Sequence, residues 1–182
     1  LWLEITGAAM TASVCVNGEK LCTHEGGYST FRVNLTDALT KEENQLSISV
    51  DNSKNDRVYP QKADFTFYGG LYRMVNLIVV PKAHFELDYC GTPGIKVTPL
   101  VDLDTKKATV TVEAWTTPAA NEVTFTVNGQ SQTVSTTANH AQAEFVIEDV
   151  HLWDGLNDPY LYIAEACLES GDTISTRFGC RE

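Results

Sequence analysis

Residues 12–23 read ASVCVNGEKLCT. In the first five of them Ala12, Val14 and Val16 alternate with Ser13 and Cys15, which gives a strand with one buried face its period of two. Asn17-Gly18 then supplies the two positive-φ residues that a type I′ hairpin turn needs. Residues 19–23 continue as the returning strand. The pattern repeats on either side of this hairpin. Leu1-Trp2-Leu3-Glu4-Ile5 reads at once as a strand, and residues 31–35 alternate well. Residues 45–50 place Leu46, Ile48 and Val50 on one face and Ser47 and Ser49 on the other, and a longer strand over 72–80 ends at Pro81. Helical signal reduces to a single turn at 36–39, with Thr36 read as its cap.

After Pro81 the pattern restarts. Strands are expected at 85–89, 95–103, 108–115, 122–127, 142–147, 160–168 and 173–178, with Asn128-Gly129 as a second hairpin turn. Seven strands with turn signals between them, in about 100 residues, are the signature of an immunoglobulin-like sandwich. The Cys…Trp…Cys spacing of true immunoglobulin domains is absent, so that likeness is one of architecture. The expected class is all-β, with two β-sandwich domains over 1–82 and 83–182. Charge divides in the same place: residues 1–82 carry 8 basic and 9 acidic side chains, whereas 83–182 carry 5 and 15.

A net charge of −11 excludes nucleic acid as the main partner, because a phosphate backbone demands a basic surface. With 43% apolar and 20% charged residues the chain is composed like a globular protein. The longest apolar runs, such as Leu77-Ile78-Val79-Val80, fall far short of the roughly 18 residues of a membrane helix, so no membrane span is expected. Cys15, Cys22, Cys90, Cys167 and Cys180 fall at no metal spacing, and five cannot all pair within one chain. Cys15 and Cys167 read as small buried thiols within apolar alternation. The chain starts and stops inside strand-like sequence, so a piece of a longer polypeptide is expected.

Residues 53–70, SKNDRVYPQKADFTFYGG, break the pattern. The stretch is too long for a hairpin loop and mixes Asp56, Arg57, Lys62 and Asp64 with Tyr59, Phe65, Phe67 and Tyr68. Ordered loops of this length are usually functional. Aromatic faces beside polar forks are also what sugar rings bind.

An ordered set of motifs adds a resemblance. It comprises Val14-Cys15-Val16-Asn17-Gly18; His24-Glu25-Gly26-Gly27-Tyr28-Ser29-Thr30-Phe31; Leu35-Thr36-Asp37; and Glu43-Asn44-Gln45-Leu46. Val50-Asp51-Asn52-Ser53, Arg57, Pro60, Asp64-Phe65 and Tyr68-Gly69-Gly70-Leu71-Tyr72-Arg73 follow in order. Together they resemble the sugar-binding jelly-roll domain of glycoside hydrolase family 2, here lacking its opening strands. Leu152-Trp153, Pro159-Tyr160-Leu161-Tyr162 and Arg177-Phe178-Gly179-Cys180-Arg181-Glu182 are similar to that family's immunoglobulin-like domain and its exit into a (β/α)8 barrel.

The resemblance implies a non-catalytic segment of a retaining glycosidase, a β-galactosidase first and a β-glucuronidase or β-mannosidase otherwise. Both catalytic glutamates would belong to a C-terminal barrel outside this chain, so no catalytic residue is expected here. It further implies that Asp64 and Asn17 hydrogen-bond sugar hydroxyls at the barrel mouth, although the turn alone already accounts for Asn17. Charge-assisted bonds from hydroxyls to a carboxylate are stronger than neutral ones. Arg73 is expected to tie the loop down by a salt bridge. No cofactor is implied, and no metal within this chain. The partners implied are a β-galactoside or oligosaccharide substrate reached through the full-length enzyme, and the barrel itself, with room for a homo-oligomer. Bacterial periplasm or cytoplasm is the implied compartment. A freestanding carbohydrate-binding module is the rival reading.

Overall fold

The computed structural model describes residues 1–60 and 62–181. Gln61, within the expected loop, and Glu182, at the end of the exit motif, lie outside the described residues. The chain is all-β and divides into two compact units, Leu1–Val79 and Val80–Glu182.

The first unit contains β1 (Trp2–Ile5), β2 (Ala8–Ala9), β3 (Thr11–Val16), β4 (Glu19–Glu25), β5 (Phe31–Asn34), β6 (Leu46–Asp51), β7 (Gly70–Leu71) and β8 (Val75–Ile78). Two antiparallel sheets, ordered β5-β1-β8 and β4-β3-β6, are joined by a short β2-β7 ribbon. Leu3, Ile5, Phe31 and Val33 from one sheet and Ala12, Val14 and Val16 from the other form a single buried cluster. The alternation in 12–16 therefore does what period two requires: the even positions are buried and the odd ones partly exposed. Asn17 and Gly18 turn the hairpin at φ of 54° and 88°.

The sandwich closes unevenly. Val75 and Leu77 lie directly across from Ile5 and Leu3 in the ladder and so share their inward face, yet Leu77 is 61% exposed. Val79 just beyond is 82% exposed, and Leu46 on β6 is exposed as well. β6 and β8 are both edge strands. The helical turn exists as a 3-10 turn at Thr36–Ala38, but its cap is Leu35, with no side-chain capping bond. Asn34 Oδ1 accepts from the Thr36 N–H at 2.9 Å.

The second unit contains β9 (Ile95–Asp102), β10 (Lys107–Trp115), β11 (Glu122–Val127), β12 (Gln130–Ser135), β13 (His140–Ile147), β14 (Tyr162–Leu168) and β15 (Thr173–Phe178). A three-stranded sheet, β13-β10-β9, faces a four-stranded one, β12-β11-β14-β15. The fourth strand in sequence thus joins the sheet that holds the third, sixth and seventh. Phe85, Phe125 and Phe145 are fully buried between the sheets with Val110, Val112 and Ile147. Each such side chain contributes about 1.5–3 kcal/mol by leaving water.

The strand expected at 85–89 is not regular: Phe85 forms one isolated bridge to Thr116, and Tyr89 another to Thr92. β12 takes its place among the seven. The buried thiol is Cys180, whose pKa burial raises, whereas Cys15 is half-buried and Cys167 exposed. Cys15, Cys90, Cys167 and Cys180 are free thiols.

Candidate functional site

The segment after β6 is built from its anchors outward. Asp51 ends β6, and its Oδ1 accepts the Ser53 N–H at 2.8 Å, a bond that holds its carboxyl below the ordinary value. Asn55 Oδ1 accepts from Arg57 N at 3.0 Å, and its Nδ2 donates to Thr11 Oγ1 and Glu25 Oε1. Arg57 closes an ion pair with the same Glu25 oxygen. Val58 is buried against Ala9 and Met10, with Tyr72 packed beside them. These contacts tie the first limb of the loop to β3 and β4.

The far end is fixed by the Gly69-Gly70 pair and the residues after it. At Gly69 an added Cβ would lie 2.8 Å from Asn52 Nδ2, so a side chain there would push the Asn52 amide aside. Gly70 has φ of +80°, which favours glycine for a different reason. The Tyr72 hydroxyl donates to the Gly27 carbonyl. Among the described residues Arg73 forms no salt bridge to hold the loop. Its Nη1 donates to the Tyr28 carbonyl at 3.1 Å and the Thr6 carbonyl at 3.4 Å, and the guanidinium lies 5.2 Å from the Tyr72 ring centre.

Between these anchors the loop presents its chemistry outward. Tyr59, Phe65 and Tyr68 are exposed, and Phe65 stacks on Phe67 at 4.9 Å. Asp64 stands exposed beside them. A cavity of about 310 Å3 opens between the two limbs, lined by Met10, Asn52, Lys54, Lys62 and Phe67. In sequence this cavity is marked only by a pair of lysines inside an aromatic-rich loop.

Asn17 is placed differently. Its Nδ2 donates to Asn44 Oδ1 at 2.9 Å and lies 3.5 Å from the Ala38 carbonyl, while its Oδ1 accepts the Gln45 N–H at 3.1 Å. It lines a shallow cavity with Lys41, Glu43, Asn44 and Gln45, to which Asp64 does not contribute. Asn17 and Asp64 therefore stand on separate loops and do not share that cavity.

Elsewhere, Glu4 bridges Asn76 at 3.0 Å and Arg32 at 2.7 Å across β8, β1 and β5. The Asn76 hydrogen bond, followed by Arg32, holds its carboxyl below the usual range against the opposing effect of burial. In the second unit Lys96 does the same for Glu113 at 2.7 Å. Both carboxylates are consumed by structural pairing. Among the described residues no group of three or more His, Cys, Asp or Glu side chains could hold a metal ion. Among the described residues no helix is long and apolar enough to cross a membrane.

An open β-sandwich with a pinned, aromatic loop, followed by a seven-stranded sandwich, matches a known class. Residues 93–181 fit the family described as glycosyl hydrolases family 2, and the chain belongs to that family. A putative β-glucuronidase of Formosa agariphila is 32% identical over 182 residues, covering 96% of this chain and 22% of that protein. Among solved structures, an FMN-binding β-glucuronidase from Facaelibacterium prausnitzii superimposes with a TM-score of 0.85 at 38% identity, covering 98% of this chain and 29% of that one. A putative β-galactosidase from Bacteroides fragilis does so with a TM-score of 0.83 at 30% identity, covering 100% and 30%. The chain spans between 22% and 30% of the length of these relatives.

Proposed function

We propose that this chain is the non-catalytic part of a retaining family 2 β-glycosidase in which the 53–70 loop completes the sugar subsite. The second unit serves as spacer and buttress for a catalytic barrel. Retaining glycosidases need two carboxylates about 5–5.5 Å apart. Three of the chain's glutamates are engaged singly: Glu4 and Glu113 sit in ion pairs with Arg32 and Lys96, and Glu148 faces Lys107.

The observation that carries the reading is the loop itself. Its base is pinned by Glu25, Asn55, Tyr72 and Arg73, while Asp64 and three aromatic rings face outward. A positioned carboxylate that accepts two sugar hydroxyls is worth most once a barrel wall excludes water. Asn17 already spends a donor on Asn44 and an acceptor on Gln45, so its first role is to shape the turn. For the substrate, a β-glucuronide is the first reading, because the relatives covering nearly all of this chain include β-glucuronidases. A β-galactoside, favoured by the motif set alone, is the second.

The test is Asp64→Asn in the full-length enzyme. At least a tenfold fall in kcat/KM is expected, about 1.4 kcal/mol of transition-state stabilisation, and a fall under about threefold would overturn the assignment. The exposed rings of Tyr59, Phe65 and Tyr68 also favour a freestanding carbohydrate-binding module. Calorimetry on this chain separates the two: millimolar or tighter affinity for galactose supports the module, and silence supports a subsite that needs the barrel.

A further inference from the structure

The tripeptide Val-Asn-Gly occurs twice, at 16–18 and at 127–129, and each copy turns a hairpin. Asn17 and Gly18 stand at φ of 54° and 88° between Val16 and Glu19, the last pair of the β3–β4 ladder. Asn128 and Gly129 stand at 48° and 75° between Val127 and Gln130, the last pair of the β11–β12 ladder. Sequence and backbone are thus matched at the two turns, and the surroundings of the two asparagine side chains are not.

Asn17 is half-buried and its amide is held at both ends. Its Nδ2 donates to Asn44 Oδ1 at 2.9 Å, and its Oδ1 accepts from the Gln45 N–H at 3.1 Å. Asn128 is exposed, and among the described residues its amide has no hydrogen-bond partner. The Gly129 N–H lies outside the last ladder pair, and a Cβ added to Gly129 would meet nothing within 4 Å. The Asn128 amide is therefore free to rotate onto the following backbone nitrogen.

We infer that Asn128 is a site of spontaneous deamidation, and that the bonds to Asn44 and Gln45 withhold Asn17 from the same reaction. Hydroxide removes the Gly129 N–H proton, and the nitrogen attacks Asn128 Cγ. The N–Cγ bond forms, the Cγ–Nδ2 bond breaks, and ammonia leaves with a proton taken from water. Glycine admits the cyclic imide easily because it has no Cβ to crowd the ring. Water then opens the imide. Cutting the new N–Cγ bond gives aspartate, and cutting the original peptide bond gives isoaspartate. Either product exchanges an amide for a carboxyl group, with no change of oxidation state.

Two hydrogen bonds of ordinary net strength, broken before the Asn17 amide can turn, slow its reaction by roughly 5- to 150-fold against Asn128. The modification also changes a surface. Asn128 and Gly129 line a cavity of about 340 Å3 together with Tyr160 and Glu165, so the product carboxylate adds negative charge beside Glu165. None of this depends on the reading of the 53–70 loop.

The experiment ages the 182-residue chain in mildly alkaline buffer and follows both tripeptides by peptide mapping and mass spectrometry, with isoaspartate scored separately. In the folded chain Asn128 is expected to convert at least about fivefold faster than Asn17. In concentrated urea, where both hairpins are unfolded, the two rates should agree within about twofold. Asn44→Ala removes one of the two bonds on Asn17 and should accelerate that site at least about twofold, with the rate at Asn128 unchanged. Retained hydrogen-exchange protection of the β3 amides in this variant shows that the hairpin itself stays folded. Conversion of Asn17 as fast as Asn128 in the folded chain would overturn the inference. So would an Asn128 that stays intact while the unfolded chain converts. A preference for Asn128 that persists undiminished in urea, or an Asn17 rate untouched by Asn44→Ala, would overturn it too.

Discussion

Replacing Asn17 by alanine separates the two roles open to this residue. Asn17 stands at φ of 54° in the β3–β4 turn, and its amide makes two well-formed bonds, to Asn44 Oδ1 at 2.9 Å and from Gln45 N at 3.1 Å. Each such bond contributes about 0.5–1.5 kcal/mol net. Alanine at positive φ adds a cost of about 1 kcal/mol that asparagine largely avoids. The sum is about 2–4 kcal/mol, and even its lower end should lower the melting temperature of a domain of about 80 residues by roughly 8–16 °C. Asn17→Gly keeps the turn and loses only the side-chain bonds, so it should fall between wild type and alanine. The assay is thermal denaturation followed by circular dichroism, with urea unfolding to obtain the free-energy difference. Should Asn17→Ala change stability by less than about 0.5 kcal/mol, the side chain is not holding the 41–45 segment, and the turn-shaping role fails.

Other perturbations follow from the same contacts. An added Cβ at Gly94 would meet the backbone oxygens of Trp115 and Glu86 at 2.8 and 2.9 Å, so Gly94→Ala should destabilise the second unit by roughly 2–4 kcal/mol in urea melts, whereas Gly129→Ala, with open space around it, should cost only about 1 kcal/mol for its φ of +75°. Glu4 has a folded pKa below its unfolded value of 4.5, so its contribution is present above that value and is lost as pH falls through the folded pKa. Glu4→Gln should therefore flatten the acid limb of the stability profile of the first unit, and an unchanged limb would contradict the pairing with Asn76 and Arg32. The exposed inward residues of β8 and the bare edge of β6 should make the isolated chain self-associate or exchange its β6 and β8 amides faster than β10 and β14. Sedimentation and hydrogen exchange check this, and a monodisperse monomer with uniform protection would contradict it.

The strands that sequence reveals are those with one face in a core. β3, β10 and β13 alternate because every second residue is buried, and both Asn-Gly turns take the backbone their composition demands. β12 escaped because Gln130 to Ser135 lies at a sheet edge, where little of it is buried and no alternation develops. The apolar stretch at 85–89 misled in the opposite sense: Phe85 is a core residue, but the backbone around it turns away after a single bridge. Cys15 and Cys167 sit on the outward parity of their strands, a matter of register that apolarity alone does not reveal.

At the candidate site the loop was legible from its length and aromatic content, and Asp64 from the motif it belongs to. The anchors were less so. Arg73 was read through its charge, but it binds carbonyl oxygens, which sequence does not display. The lysine-lined cavity depends on two limbs of one loop coming together, with Met10 of a different segment in its lining. No spacing rule connects positions 10, 52 and 62.

The most direct test of the central claim is to capture the natural polypeptide from its source cell with an antibody raised against this chain. Its mass and its hydrolysis of aryl β-glucuronide and β-galactoside would then be measured. The expected product is larger than 20.0 kDa by at least a barrel, roughly 27 kDa more, and cleaves one of the two substrates. A product near the mass of this chain, or a larger one that cleaves neither, would contradict it.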